Sequence, residues 1–190
     1  MSRVLAVSVL LGLSLTLGAC AATPVDDPTN GGTTQSRPTP TPDQALVPTE
    51  MPSAVVAIDP EEFNNGFDEY VFKVGEGPTW CTISPVSQFT LCEQNEAAAV
   101  YAPIPAPDSC VYSYGYQVRL WSAKPESGET AEFACSGGFY SDASQAKTLL
   151  TGQSVTAAGF TCFVENVTAR CDNASGQWIA LGPQVWSLNN

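Results

Sequence analysis

The sequence predicts an all-β, mainly antiparallel domain: a small disulfide-stapled sandwich or barrel with one or two short helices. Short runs of β-branched and aromatic side chains recur between clusters of Gly, Pro, Ser and Asn, a spacing typical of antiparallel sheets. Six of the seven cysteines lie beyond residue 80. An even number of cysteines in a small domain is typical of a disulfide framework, here of three bonds.

The first 19 residues are typical of an export signal. Arg3 is followed by an apolar run over residues 4–17, and about 14 helical residues rise only ~21 Å against a hydrocarbon layer of roughly 30 Å. The run ends in Leu17-Gly18-Ala19-Cys20, which resembles a bacterial lipobox, where cleavage before the cysteine frees the residue that receives the lipid. We therefore predict a signal peptide over 1–19 and lipid attachment at Cys20.

Residues 20–57 are predicted to be the lipidated cysteine followed by a disordered, Thr/Pro-rich tether. The 37–43 segment reads RPTPTPD, and such a composition buries too little apolar surface to offset the entropy of ordering it. A flexible chain of about 37 residues spans roughly 35 Å on average. Glycosylation of the Thr-Pro run is an alternative to a bare tether. The remaining residues, 58–190, form the predicted cysteine-rich β domain.

Local signals place the elements of this domain. Asp59 as the N-cap, Pro60 in the first turn and the acidic pair that follows predict a short helix ending at Asn64-Asn65-Gly66. A second short helix is predicted over 143–150. The alternating segments predict eight strands, over residues 70–74, 80–83, 88–92, 117–121, 130–135, 160–164, 167–171 and 178–181.

The spacing of the cysteines predicts their partners. Residues an odd number apart can lie directly opposite each other in a hairpin with an even-numbered loop, at the Cα separation of about 4.5–5.5 Å that suits a disulfide. Cys81 with Cys92, and Cys162 with Cys171, fit this rule, the second pair around an Asn166-Val167 turn. The remaining pair, Cys110 and Cys135, is then predicted to join different parts of the sheet.

The layout resembles a family of exported actinobacterial proteins known only as a domain of unknown function. Its members open with P-S-G-N-I-x-C, carry a central cysteine pair, and close with G-F-x-C, V-x-C-x-N and G-H-G-F. Residues 159–162 (GFTC) and 167–173 (VTARCDN) match the closing motifs. The opening segment, 74–81, lacks the S-G-N, and Gln177-Trp178 stands where the family has histidine, glycine and phenylalanine. The resemblance covers residues 72–188 and implies a fold but no activity.

Composition disfavours several function classes. The chain has a net charge of −12 and no histidine. Excess negative charge repels nucleic acid and anionic lipid surfaces, so we predict no nucleic-acid partner. Without histidine, this chain cannot build a Ser-His-Asp or Cys-His catalytic arrangement. The lack of a C-x-x-C motif also disfavours zinc, and the acidic segment 59–76 lacks the calcium-loop pattern. We therefore predict no metal and no cofactor.

Tyr112, Tyr114 and Tyr116 are the candidate ligand residues. In a continuous strand they share one face and could offer a platform on which sugar rings stack. Val118 and Leu120 would continue that same face, however, which favours a buried or half-buried position for the tyrosines. A bulge at a glycine within the run would reverse this parity.

These observations predict a non-enzymatic, lipid-anchored binding or interaction module of the cell envelope. It would sit on the outer face of the cytoplasmic membrane, held by its lipid, with an envelope glycan or protein as partner. The alternative is a carboxylate-based enzyme acting on envelope glycans, which needs two acids about 5–10 Å apart across a cleft. A third reading is a domain that only spaces or stabilises a partner complex. An exposed aromatic patch would favour binding.

Overall fold

The computed structural model describes residues 46–190. The predicted signal peptide, Cys20 and the Thr-Pro run lie outside this range. Within it, no helix combines the length and the hydropathy needed to span a bilayer. The described chain folds into two six-stranded β-sheets, and the all-β prediction is confirmed as a sandwich.

Twelve strands and two short 3₁₀ helices make up the described part of the chain. The 3₁₀ helices are Pro60–Phe63 and Glu96–Ala98. The first has the predicted N-cap, since the Asp59 side chain accepts a hydrogen bond from the Glu61 amide. The strands are β1 Val56–Ile58, β2 Tyr70–Val74, β3 Trp80–Ser84, β4 Phe89–Glu93, β5 Gln117–Trp121, β6 Ala131–Phe133, β7 Lys147–Leu149, β8 Gln153–Ala157, β9 Phe160–Glu165, β10 Thr168–Asn173, β11 Trp178–Leu181 and β12 Trp186–Asn189.

Each sheet is a five-stranded antiparallel meander completed by one strand from the other half of the chain. Sheet I contains β2 to β6 in sequence, with β7 added parallel to β2. Sheet II contains β8 to β12 in sequence, with β1 added parallel to β8. Strand β1 precedes the meander of sheet I but pairs in sheet II, and β7 precedes the meander of sheet II but pairs in sheet I. This exchange ties the two halves of the chain together.

Two disulfides lie at corresponding places in the two meanders. Cys81 and Cys92 are directly opposite on β3 and β4, and Cys162 and Cys171 on β9 and β10, each with Cα atoms 4.0 Å apart. The second hairpin turns at the predicted pair of residues, with Asn166 at φ 56°, a left-handed conformation that Asn tolerates. Both predicted pairings are confirmed.

The third disulfide, Cys110–Cys135, is also confirmed. It joins the long loop before β5 to the residues just after β6. The pairing is as predicted, but it ties a loop to the end of β6 and does not connect two strands of the sheet. Cys135 is exposed, whereas the four cysteines of the hairpins are fully buried.

The hydrophobic core fills the space between the sheets. Side chains on alternate positions of each strand point into it, as a period of two requires. Its largest members come from both sheets, and the hairpin disulfides lie among them. Fully buried examples are Phe72, Ile83, Leu120, Phe160, Ile179 and Leu181.

The chain reaches the domain across the outer face of sheet II. Val47 is buried there and packs in one cluster with Ala180. The Arg170 guanidinium donates to the Pro48 carbonyl oxygen at 2.9 Å and lies over the Trp178 ring, 4.2 Å from its centroid. Part of the segment assigned to the tether is thus packed on the domain, which begins before residue 58.

The predicted helix over 143–150 does not form. Lys147–Leu149 is instead strand β7, paired in parallel with β2 through Lys147 opposite Phe72. Leu149 is fully buried in the core, so non-local pairing and burial outweigh the local helical tendency of the segment.

Candidate functional site

A loop between β6 and β7 crosses the outer face of sheet I, and we call residues 136–146 the strap. Ser141 Oγ lies 2.7 Å from Thr82 Oγ1. The Tyr140 ring packs edge-on against Phe89, with ring centroids 5.1 Å apart. Thr82 and Phe89 lie on the side of their strands opposite the core-facing cysteines. The strap therefore covers the outer surface of the sheet.

A buried carboxylate, Glu93, fixes the strap to the sheet. One oxygen accepts hydrogen bonds from the Tyr140 amide at 2.9 Å and Gln117 Nε2 at 2.8 Å. The other accepts from Trp80 Nε1 at 2.9 Å and the Ser141 amide at 3.1 Å. Every partner is a donor, which suits an ionised, acceptor-only carboxylate. Two consecutive backbone amides of the strap are therefore held by this one side chain.

The environment of Glu93 acts on its pKa in two directions. Burial raises the pKa, because the charged form loses its hydration. The hydrogen bonds from Tyr140, Ser141 and Trp80 lower it but only partly offset the burial, so the pKa of Glu93 is raised.

Phe139 and Trp80 form an aromatic pair at the edge of the strap. Their ring centroids are 4.8 Å apart with an interplanar angle of 69°, an edge-to-face contact. Phe139 is 55 % exposed. Its neighbour along the chain, Tyr140, and its ring partner, Trp80, are both hydrogen-bonded to Glu93. The pair is thus an exposed aromatic surface whose geometry is fixed from beneath.

The aromatic pair separates two depressions. Cleft A has a volume of about 700 Å³ and is lined by Lys73 and by residues 77–80 and 139–144. Cleft B has a volume of about 270 Å³ and is lined by residues 94–96, 113, 116–117, 136 and 138–139. Phe139 belongs to both linings. Cleft A has the size of a small-molecule site, for which roughly 300–1,000 Å³ is usual.

A third depression, cleft C, also borders the strap. It has a volume of about 610 Å³ and is lined by residues 62–65, 67, 69, 71, 140–142 and 145–147. Two of its carboxylates fasten neighbouring loops together. Glu69 accepts from the Tyr140 hydroxyl at 2.6 Å, and Glu62 pairs with Lys147 at 3.4 Å. These acids of the 59–76 segment therefore hold the surface around the strap.

The segment that carries the three candidate tyrosines is not a continuous strand. Its one β-bridge links Ser113 to Ser136. Gly115 has φ 95°, and a Cβ at this position would come within 3.0 Å of Ile104 Cβ. Glycine is thus required where the backbone turns and approaches the neighbouring loop. This turn ends the regular alternation before β5 begins.

The three tyrosines consequently have different surroundings. Tyr112 is 65 % exposed. Tyr114 is half-buried against Phe133, with ring centroids 5.5 Å apart. Tyr116 is half-buried and stacks on Tyr101, at 6.3 Å between centroids. They do not form a common face, and only Tyr116 lines one of the three clefts.

Three cysteine sulfurs, of Cys81, Cys92 and Cys171, lie within 4.8 Å of one another in the core. All three are oxidised in disulfides, so their sulfurs are not thiolate ligands. Cys20, the predicted lipid attachment residue, lies outside the described residues.

Sequence reasoning missed Trp80, Glu93 and Phe139. Trp80 and Glu93 lie directly opposite on β3 and β4, and the same odd spacing that predicts the Cys81–Cys92 bond also pairs these neighbours. The odd spacing therefore predicts that Trp80 and Glu93 are cross-strand neighbours, but it gives no indication of the strap that covers them.

The fold and this site define a disulfide-stapled β-sandwich with an aromatic, cleft-bearing outer face. No protein-family model, no curated protein and no solved structure matches this chain. The resemblance to the actinobacterial family therefore stays a prediction based on its motifs.

Proposed function

We propose that this protein is a lipid-anchored, non-enzymatic binding module of the cell envelope. Its Thr/Pro-rich segment would hold the domain away from the outer face of the cytoplasmic membrane. The observation that carries the binding role is the Trp80–Phe139 pair, an exposed aromatic surface fixed by Glu93 between clefts A and B. Preorganised aromatic side chains bind with little loss of conformational entropy.

The position of the chain's approach supports this arrangement. Residues 47–49 pack on the outer face of sheet II, and the strap lies on the outer face of sheet I. These two faces are on opposite sides of the sandwich, because the core lies between the sheets. A tether that arrives on one side leaves the clefts on the other side accessible to ligands.

The state of Glu93 supports binding over carboxylate catalysis. It is the buried acidic residue of the 46–190 range, and both its oxygens already accept hydrogen bonds. A carboxylate so occupied serves structure, since acid–base work requires an oxygen within reach of the substrate.

Mass spectrometry of the mature N-terminus tests the anchor. We expect a chain that begins at a lipid-modified Cys20 and fractionates with membranes, while Cys20→Ser leaves the membrane fraction. An unmodified Cys20, or retention of residues 1–19, would contradict the anchor.

Comparison of two variants tests the binding role. The full-length protein, purified in detergent, is immobilised and exposed to a solubilised envelope extract, beside Phe139→Ala and the control Tyr112→Ala. We expect a component that is retained by the unchanged protein and by Tyr112→Ala but not by Phe139→Ala. Equal retention by all three proteins would count against the site.

A further inference from the structure

We propose that the ligand of the Trp80–Phe139 surface is an uncharged glycan chain that crosses Phe139 from cleft A into cleft B. This inference rests on the binding role proposed above and names its ligand class. Phe139 lines both clefts. A ligand made of linked rings can therefore place one sugar on the aromatic ring and its neighbours in the two depressions.

The chemistry of the surface matches that of a sugar. A pyranose presents a C–H face, which packs on an aromatic ring, and a rim of hydroxyls, which seek polar partners. Phe139 is 55 % exposed and offers that ring. The rim of cleft B carries the side-chain NH₂ group of Asn95, whose oxygen accepts from the Ala97 amide, and the Ser113 hydroxyl, both on exposed residues. An aromatic surface with amide and hydroxyl groups beside it is thus available to one chain.

The charge of the surface favours a neutral chain over an anionic one. Glu96 lines cleft B and Asp142 lines cleft A, on a protein of net charge −12. The one cationic side chain of these two linings is Lys73, whose ammonium group donates to the Ser144 carbonyl oxygen at 3.2 Å. Polymers that carry phosphate or carboxylate groups would meet net repulsion here.

The backbone of the strap is a poor partner for a peptide. A peptide that binds by adding a β-strand does so mainly through main-chain hydrogen bonds. The Tyr140 and Ser141 amides, which lie beside Phe139, are already bonded to Glu93. A ligand of this surface can therefore stack on the aromatic ring and form hydrogen bonds with side chains. Both interactions suit a glycan.

Affinity electrophoresis with the full-length protein in detergent tests the proposal. The probes are three soluble neutral polysaccharides, a β-glucan, an α-glucan and a mannan, with a polyuronate as the anionic arm. We expect at least one neutral polysaccharide to retard the protein and the polyuronate not to. Phe139→Ala should weaken this binding about tenfold or more, the size of a binding hot spot.

Two further variants keep the test decisive. Phe139→Tyr retains an aromatic ring and should retain binding, whereas Tyr112→Ala removes an exposed tyrosine outside the three clefts and should leave binding within about twofold, a change below 0.5 kcal/mol. Near-ultraviolet circular dichroism confirms that each variant is folded.

Three results would overturn the proposal: no neutral polysaccharide binds, binding is unchanged in Phe139→Ala, or the polyuronate binds best. If an envelope protein is retained through Phe139 while the glycans are not, the glycan assignment fails and the binding role stands. If nothing binds in a Phe139-dependent way, both fail.

Discussion

The Sγ atoms of Cys92 and Cys171 lie 3.9 Å apart, so the two hairpin disulfides meet in the core, one from each sheet. Thr90 Oγ1 lies beside them, 3.7 Å from the Cys171 sulfur. Neither bond crosses from sheet to sheet. Each closes its own hairpin, and packing between them joins the sheets. The centre of the sandwich is therefore formed by contacts between the two disulfide-closed hairpins.

Burial predicts the order in which the disulfides are reduced. Under native conditions a water-soluble phosphine should reduce Cys110–Cys135, since Cys135 is exposed. The hairpin bonds should resist until denaturant is added, because all four of their cysteines are fully buried. Differential alkylation followed by peptide mass spectrometry measures this order. Labelling of a hairpin cysteine before Cys110 would contradict it.

Replacing the Glu93 carboxylate with an amide should lower the free energy of unfolding, because the carboxylate binds the strap. In Glu93→Gln one oxygen becomes an NH₂ group that faces donors, so buried donors lose their acceptor at a cost of about 1–3 kcal/mol. Urea denaturation measures the loss. The matched control is Glu62→Gln, an exposed acid paired with Lys147, which should change stability by less than about 1 kcal/mol. Equal losses in the two variants would remove the special role of Glu93.

The same residue predicts a pH dependence with a definite sign. Burial raises the pKa of Glu93 above the ordinary value of 4.5, so the folded protein binds this proton more tightly than the unfolded chain. The contribution of Glu93 to stability is therefore present at low pH and is lost as the pH rises through the raised pKa. Urea denaturation across this pH range measures the slope, which Glu93→Gln should lack because an amide does not titrate. A slope that persists in Glu93→Gln would assign it to another group.

Much of this fold follows from local sequence signals. The segments rich in β-branched and aromatic residues became strands close to their predicted limits. The parity of the cysteine spacing found two of the disulfides, and the third is the pair that remained. Strands β1, β7, β8 and β12 were not predicted. For β1 and β7 the reason is physical. Each has three residues and forms only by parallel pairing with a strand of the other half, which leaves no periodic signal.

The site was hidden for a related reason. Glu93 follows the core-facing Cys92 on β4. Because adjacent residues of a strand point to opposite faces, the sequence predicts that the Glu93 side chain points away from the core into solvent. The strap that buries it reads as an ordinary Gly- and Ser-rich loop over 136–146. Its hydrogen bonds to Glu93 connect residues more than 40 positions apart. The continuous strand considered for the three tyrosines does not form, for the opposite reason. Their local pattern looks regular, but the backbone turn at Gly115 interrupts it.

Tyr101 predicts a late step in alkaline titration. Its hydroxyl donates to the Gly115 carbonyl oxygen at 2.9 Å and accepts from Gln94 Nε2 at 2.9 Å. Burial raises the pKa of Tyr101 to about 12, so its contribution to stability is lost as the pH rises from 10 through about 12. Tyr101→Phe should remove the last tyrosinate absorbance step and cost about 1–2 kcal/mol. Persistence of that step in the variant would show that another tyrosine produces it.

Arg170 is expected to hold residues 46–49 against the outer face of sheet II. Its guanidinium donates to the carbonyl oxygens of Pro48 and Thr49 and to the Asp172 carboxylate, and it lies over the Trp178 ring. A lysine keeps the charge but loses this planar fork. Arg170→Lys should therefore free residues 46–49 from sheet II, since a hydrogen bond to a charged group contributes about 1.5–3 kcal/mol.

Hydrogen exchange of peptides covering residues 46–58 measures the release, which should raise the local exchange rate about tenfold or more. The matched control is Arg119→Lys on sheet I, where the guanidinium pairs with Glu132 and stacks on Trp121 in a similar way but does not contact the N-terminal segment. Exchange at 46–58 should not change in this control. Faster exchange in both variants would mean that the whole sandwich has loosened, whereas faster exchange in neither would mean that Val47 and its apolar neighbours hold the segment without Arg170.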